Sequence, residues 1–450
     1  MTAPGPAQLV IDNVTILVHE TDGAIGFLQR ARIVVRDGAI TDLAESDGPV
    51  PDSAEVIDGT GLLAMPGLIN CHTHSPMVMF RGAAEDVSAA DWFNKKIWPM
   101  EVNLTRSDVG LAARLACAEM IAGGVTTFAD HYFHMDDVAD AVAETGLRAN
   151  LGWTYFSSEG PAGFERGLDF ALRRRDDAGG RITTSLAPHA VYTVDDADLE
   201  RTAAAAVEHD LLVHIHIAES RDETLASRAR RGLTPVGVAA KAGLFDAQVL
   251  IAHGKGIVPE DIPVLQAAAG RVGVGVCPKG YLKMAEEITP IRLLTAAGVA
   301  VGLGTDGAAS NNTLDVWESM TYTATLQKFL EGDEAWMSAR QTLGLATLSS
   351  AAAVGMSDSI GTLAVGKRAD IILVDLSGPH TQPIHDLPAT LVFSARSADV
   401  RTTIVDGRVL MRDRRLLTVD VSGLSAALNP RLAALTDQSH GSSIQSYWES

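Results

Sequence analysis

Two textures alternate along this chain. The opening residues run in short stretches of alternating apolar and polar positions, LVIDNVTILV, ARIVVRDGAITDLA and AEVIDGTGLLAMPG, punctuated by Gly and Asp. A period of two with turn residues between the runs predicts β-hairpins. The same texture returns near the far end in RADIILVDLS, ATLVFSA and VRTTIVDGRVLM. Neither set has enough strands to bury two faces by itself. The economical expectation is one small β-sandwich domain made from both chain ends.

Between these zones the pattern changes to apolar run, long helix, apolar run. Strands are expected near 66–72, 125–130, 147–153, 183–188, 212–217, 249–253, 272–276 and 299–305. TRSDVGLAARLACAEMIAGG opens on capping residues, spaces its apolar positions as a helix does and ends in Gly; DVADAVAETG and DDADLERTAAAAVEHD follow the same logic. Eight strands with intervening helices predict an α/β fold, a (β/α)₈ TIM-like barrel. The expected division is residues 1–64 as the first part of the β-domain, 65–360 as the barrel, and 361–450 as the rest of the β-domain and a tail. The tail segment SHGSSIQSYWES carries weak signals and reads as a docked or frayed end.

A chain of 450 residues with 46% hydrophobic content buries a large core, and one barrel with a smaller domain fits that length. The formal charge of −20 argues against nucleic-acid and anionic-membrane partners. Three cysteines do not make a disulfide framework, which suits a reducing compartment. The start, MTAPGPAQLVIDNV, has no basic region followed by an apolar one, and no stretch is apolar for long enough to span a bilayer. A cytoplasmic location is the expectation.

Chemistry enters at the ends of the apolar runs. His72 and His74 stand in PGLINCHTHSP, His189 in SLAPHAVYT, His216 and Glu219 in LLVHIHIAES, His253 in VLIAHG and Asp306 in VGLGTDGAASNN. The C-terminal ends of barrel strands share one mouth, so residues far apart in sequence converge there. HTH places imidazoles at i and i+2, on one side of an extended strand, where both reach one cation. Cys71 between them would point away and is expected as a small buried residue. His214 and His216 also face one side. His216 is preferred because Glu219 follows where the strand turns into its loop, with His214 one layer deeper. Three imidazoles and a carboxylate would leave a coordination position for water.

PGLINCHTHSPMVMFRGAAEDVSAADW, APHAVYT, HIHIAES, CPKGYLK and GTDGAASNNTLDVWESM, with the C-terminal IGTLAVGKRADIILVDLSG, resemble the amidohydrolase superfamily over nearly the whole chain. Within it the likeness is to the 5-methylthioadenosine/S-adenosylhomocysteine deaminase and triazine hydrolase branch. The resemblance implies His72, His74, His216 and Asp306 as ligands of a divalent metal, zinc or else iron, with Glu219, His253 and Asp306 catalytic. Many dinuclear members carry a carboxylated lysine at the end of the fourth strand. This chain has His189 there and no lysine, which predicts one metal.

The expected reaction is attack of metal-activated hydroxide on a ring carbon bearing an amino group. Asp306 would take the water proton, Glu219 would protonate the adjacent ring nitrogen, and His253 would orient the attacking oxygen. The expected substrate is an adenosine-type nucleoside, purine or pterin. The alternatives are displacement of chloride or alkylamine from a triazine, and a barrel kept only as a binding scaffold. Substrate contacts are expected from Glu101 in WPMEVNL, His189, Trp153 in GLRANLGWTYFSSEG and Lys279 in CPKGYLK. Arg148 is placed at its strand's start, remote from the mouth, so no cationic clamp for a carboxylate is evident. The expected partner is a small heterocycle, and a homo-oligomer is the expected assembly.

Overall fold

The computed structural model describes residues 8–20, 23–53 and 55–447. The leader-free reading of the first seven residues, and the last three residues of the tail, lie outside them. Eight parallel strands follow in sequence order: Leu68–Thr73, Val125–Tyr132, Arg148–Tyr155, Ile182–Pro188, Leu212–Ile217, Val249–His253, Val272–Val276 and Ala300–Leu303. All are buried along nearly their full length, as strands walled by helices outside and packed side chains inside must be. The amide nitrogens of Thr305 and Asp306 donate to the His72 carbonyl at 3.1 and 2.9 Å, so the turn after the last strand clasps the first.

Helices form where the caps were legible. Arg106–Ala122 starts on a reciprocal capping box between Thr105 and Asp108. Met135–Thr145 stops at Gly146, whose φ of 93° is the left-handed conformation that favours glycine. Asp196–His209 is capped by the Asp195 carboxylate, which accepts the amide of Asp198 at 2.9 Å. Among the described residues no helix is long and apolar enough to cross a membrane.

The second body is a nine-stranded mixed sheet drawn from both chain ends. Leu62–Pro66 pairs in parallel with Leu9–His19 and antiparallel with Ile371–Asp375, joining the two halves directly before the chain enters the barrel. Arg148, at the N-terminal end of the third barrel strand, ties the two bodies together. Its guanidinium forks onto Asp370 at 2.8 and 3.1 Å and also reaches Asp406 at 2.5 Å. Beyond the sheet, helices Val421–Leu428 and Leu432–Leu435 return along the barrel, and Arg431 grips Asp108 with bonds of 2.8 and 2.9 Å. The tail is docked as far as residue 447.

Candidate active site

Strand alternation does the first sorting. Cys71 points outward and offers its Sγ to the Ser350 carbonyl, and burial raises its thiol to about 12. His72, fully buried, and His74, just past the strand, point inward with ring centroids 4.8 Å apart. His216 and His253 bring their rings to 5.0 Å from His72. Asp306 closes the group, its Oδ1 lying 3.6 Å from His72 Nε2 and 3.3 Å from His74 Nε2.

The other nitrogen of each ring is occupied. His72 Nδ1 lies 2.9 Å from His214 Nε2, and His216 Nδ1 donates to the His189 carbonyl at 2.6 Å. His74 Nδ1 donates to the carbonyl of His131. Such bonds orient an imidazole and hold the proton on Nδ1, presenting the Nε2 lone pair forward. His214 sits behind His72. Ser310 Oγ donates to Asp306 Oδ2 at 2.6 Å and leaves Oδ1 toward the rings.

This donor set fits a cation. His72 Nε2 is buried without a hydrogen-bond partner among the described residues, and a lone pair in that condition is costly unless something coordinates it. The donor atoms of His72, His74 and Asp306 lie within 4.8 Å of one another, as do those of His72, His216 and His253. Burial lowers His72 to about 3 and His216 to about 4, keeping both neutral as ligands must be. Burial opposes charge on His74 as well, but the adjoining Asp306 carboxylate outweighs it and raises His74 to about 9. Asp306 is held well below its usual range by His72 and His74 against the opposing effect of burial.

Around this centre lies a cavity lined by His74, His216, His253 and Asp306 and by a set of aromatic side chains. Glu219 borders it on the loop after the fifth strand, with Oε2 accepting the Tyr192 hydroxyl at 2.8 Å. Burial raises its carboxyl above the usual range. The backbone amide of Glu219 donates to Glu223 at 2.6 Å, which fixes the loop. Tyr281 lies 3.3 Å from His253 Nδ1, so Nε2 faces the cavity. His189 bonds through Nδ1 to Thr193 at 2.9 Å and lines the same space. Glu101 is buried rather than solvated: Tyr132 donates to it at 2.6 Å, and burial raises it to about 7.

Two expected contacts are corrected. Trp153 does not line the cavity; its neighbour Thr154 does. Alternation turns the indole outward, 5.7 Å from Phe170 and beneath the Arg166 guanidinium. Lys279 starts a short helix, Pro278–Lys283, that swings its ammonium onto Glu318 at 2.6 Å and Thr313 at 2.9 Å, away from the cavity. The aromatic wall comes instead from Trp92, Phe93, Trp98, Phe133 and Phe156.

His131 escaped the sequence reading although it ends the second apolar run, in FADHYFH, as the other histidines end theirs. It lines the cavity, bonds Thr154 through Nδ1 at 2.8 Å and stands 4.8 Å from the His216 ring. A second chamber shares Trp92, Phe93, Glu219, His253 and Asp306 with the first and extends to Lys255 and Tyr447.

The amidohydrolase family profile matches residues 63–410. A 5-methylthioadenosine/S-adenosylhomocysteine deaminase of Desulforudis audaxviator is 45% identical over 86% of this chain and 91% of its own length. A 5'-deoxyadenosine deaminase of Methanosarcina acetivorans is 40% identical over 92% of this chain and 95% of its own. Among solved structures, an adenosine deaminase from Xanthomonas campestris with bound zinc superposes with a TM-score of 0.90 at 31% identity, covering 96% of this chain and 99% of that one. With most of the barrel and the joining strands inside the match, the chain belongs to the amidohydrolase family.

Proposed function

We propose that this chain is a hydrolytic deaminase of adenosine-type nucleosides bearing an uncharged 5'-substituent. Its metal is proposed as one zinc, held by His72, His74, His216 and Asp306. Bound there, a divalent cation would supply Lewis acidity, bringing the pKa of a water toward neutrality. The reaction replaces the exocyclic C–NH2 bond of a ring carbon by C=O, consuming one water and releasing ammonia.

The chain's own groups supply the proton traffic. Asp306, hydrogen-bonded through Oδ2 to Ser310, keeps Oδ1 available to take the water proton. Glu219, anchored by Tyr192 through one oxygen, delivers a proton to the ring nitrogen beside the reacting carbon and passes one to the departing amine. His253 Nε2 orients the incoming oxygen. In the same cavity, buried Glu101 would accept from the paired hydroxyls of a ribose, and the aromatic walls would stack on the base.

The observation that carries the substrate reading is the cavity lining. Glu219 and Glu101 both line it together with aromatic rings, and no lysine or arginine lines it among the described residues. A carboxylate entering this space would lose water without gaining a charge-assisted partner. Lys255, in the second chamber, is already paired with Glu286, and Arg148 is consumed at the opposite end of the barrel. The test is ammonia release from adenosine, 5-methylthioadenosine, S-adenosylhomocysteine, guanine, a pterin and a triazine. The expected result is a higher kcat/KM for adenosine and 5-methylthioadenosine than for S-adenosylhomocysteine. A clear preference for S-adenosylhomocysteine would refute the uncharged-substituent reading, and activity confined to free bases or triazines would refute the nucleoside.

A further inference from the structure

The chain does not end at the β-domain. After Leu432–Leu435 it runs across the outside of the segment that carries Trp92, Phe93, Trp98 and Glu101. Asn103 anchors the start of this run by donating to the Leu435 and Asp437 carbonyls at 3.2 and 2.7 Å. The amide of Ile444 donates to the Trp98 carbonyl at 3.3 Å, and Gln445 donates to Ser158 at 3.0 Å. Asn94 then holds Tyr447 from both sides, donating to its carbonyl at 2.9 Å and accepting from its amide at 2.7 Å. Backbone bonds on both sides of one residue fix where its side chain goes.

That side chain enters the active-site wall. The Tyr447 ring lies parallel to Phe93, 9° between planes and 4.9 Å between centroids. It meets Tyr192 edge-on at 5.4 Å. Tyr192 is the residue whose hydroxyl holds Glu219, and the Tyr447 hydroxyl bonds Ser220, the next residue along. Tyr447 also lines the second chamber opposite Lys255.

We propose that residues 438–447 are a strap over the mouth of the site and that Tyr447 is a specificity-determining residue, setting the second chamber's aromatic wall and excluding water from Glu219. This rests on the deaminase reading for its kinetic consequence, but not for its structural one. The strap binds through backbone bonds and ring contact, and none of its residues belongs to the proposed metal set. Its loss would therefore weaken substrate binding and leave metal loading intact. The Tyr447 contribution is its ring, stacked on Phe93 and edge-on to Tyr192, so phenylalanine should substitute for tyrosine.

The experiment uses the full chain carrying Tyr447→Ala, Tyr447→Phe or Asn94→Ala, with a truncation after Asp437 alongside. Steady-state kinetics use the best nucleoside of the panel, and hydrogen exchange with mass spectrometry follows residues 92–103 and 219–223. Tyr447→Ala should raise KM by about tenfold with a smaller change in kcat, the scale of losing an aromatic pair and its water exclusion. Exchange should speed in both segments, metal content should not change, and Tyr447→Phe should restore KM. Unchanged KM and unchanged exchange in Tyr447→Ala would overturn the proposal, even if the truncated chain fails to fold. Faster exchange without activity of the wild-type chain on any panel member would support the strap and reject the deaminase reading instead.

Discussion

Replacing Arg148 with methionine should separate what stabilises the barrel from what operates it. The guanidinium is 5% exposed, and its bonds of 2.8, 3.1 and 2.5 Å neutralise Asp370 and Asp406 across the junction of the two bodies. Methionine keeps much of the volume but leaves buried Asp370 without its cation and half-buried Asp406 with Arg368 alone. Breaking such a group from one side costs about 3–5 kcal/mol, a factor of roughly 10²–10⁴ in the folding equilibrium. Burial works to raise the Asp406 carboxyl, but the Arg368 and Arg148 guanidinium groups outweigh it and hold it below its ordinary 3.8. A depressed carboxylate contributes stability above that ordinary value and loses it as pH falls. The wild-type advantage over the variant should therefore be full at pH 7 and shrink on acidification below about pH 4. Urea denaturation across that range measures it. Because Arg148 sits at the N-terminal end of its strand, the folded variant should keep kcat/KM within about threefold, as the stability face of a barrel allows. A loss of less than about 1 kcal/mol, or a folded variant with more than tenfold lower kcat/KM, would refute the assignment.

Four further outcomes are expected. Glu219→Gln should keep fold and metal, since the amide still accepts from Tyr192, and lose about 10²–10⁴ in kcat; turnover near wild type at full metal content would move the acid–base role elsewhere. His214→Phe should weaken metal affinity about 10–100-fold by freeing His72 Nδ1, read by competition with a chelator. Elemental analysis should find about one divalent metal per chain, because the fourth strand ends in His189 and no bridging lysine is present; two in the active protein would refute the mononuclear site. Lys279→Met should leave kcat/KM within about twofold, because its ammonium faces Glu318 and Thr313 rather than the cavity.

Features that depend on local period were legible in the chain. Hairpin alternation, capped helices and apolar runs marked both bodies. Counting by two from His72 placed His74 inward and Cys71 outward, as the Cys71 contact with Ser350 bears out. Trp153 was placed as a loop residue near the mouth, but the third strand runs on to Tyr155, and within it Thr154 rather than Trp153 meets His131. Lys279 was misplaced because a lysine just past a strand shows nothing of the helical turn that redirects it. Tyr192, Lys255 and Tyr447 had no signal in any window, since their places depend on contacts between distant segments. Tyr447 meets Phe93 across the whole chain.

The backbone shows how a regular barrel yields an irregular site. Three non-glycine residues at the mouth have left-handed conformations: Ala218 at φ 52°, His253 at 72° and Asp306 at 61°. Each such position costs on the order of 1–3 kcal/mol and persists only where its surroundings determine it. Here they do. Gly256 donates to the Ala218 carbonyl at 2.8 Å, Thr289 to the His253 carbonyl at 2.7 Å, and the Asp306 amide to the His72 carbonyl at 2.9 Å. Each kink lies at or just beyond a strand's end and redirects the chain there: Glu219 follows Ala218, His253 ends its strand at the kink, and Asp306 stands three residues past Leu303. A strand that simply continued would alternate these side chains between core and mouth. The left-handed residues break that alternation at three points around the rim, after the fifth, sixth and eighth strands, and so turn groups from all three toward one centre with His72. The cost falls on the residues that turn the chain at the mouth, and the ordinary packing of the barrel below them offsets it.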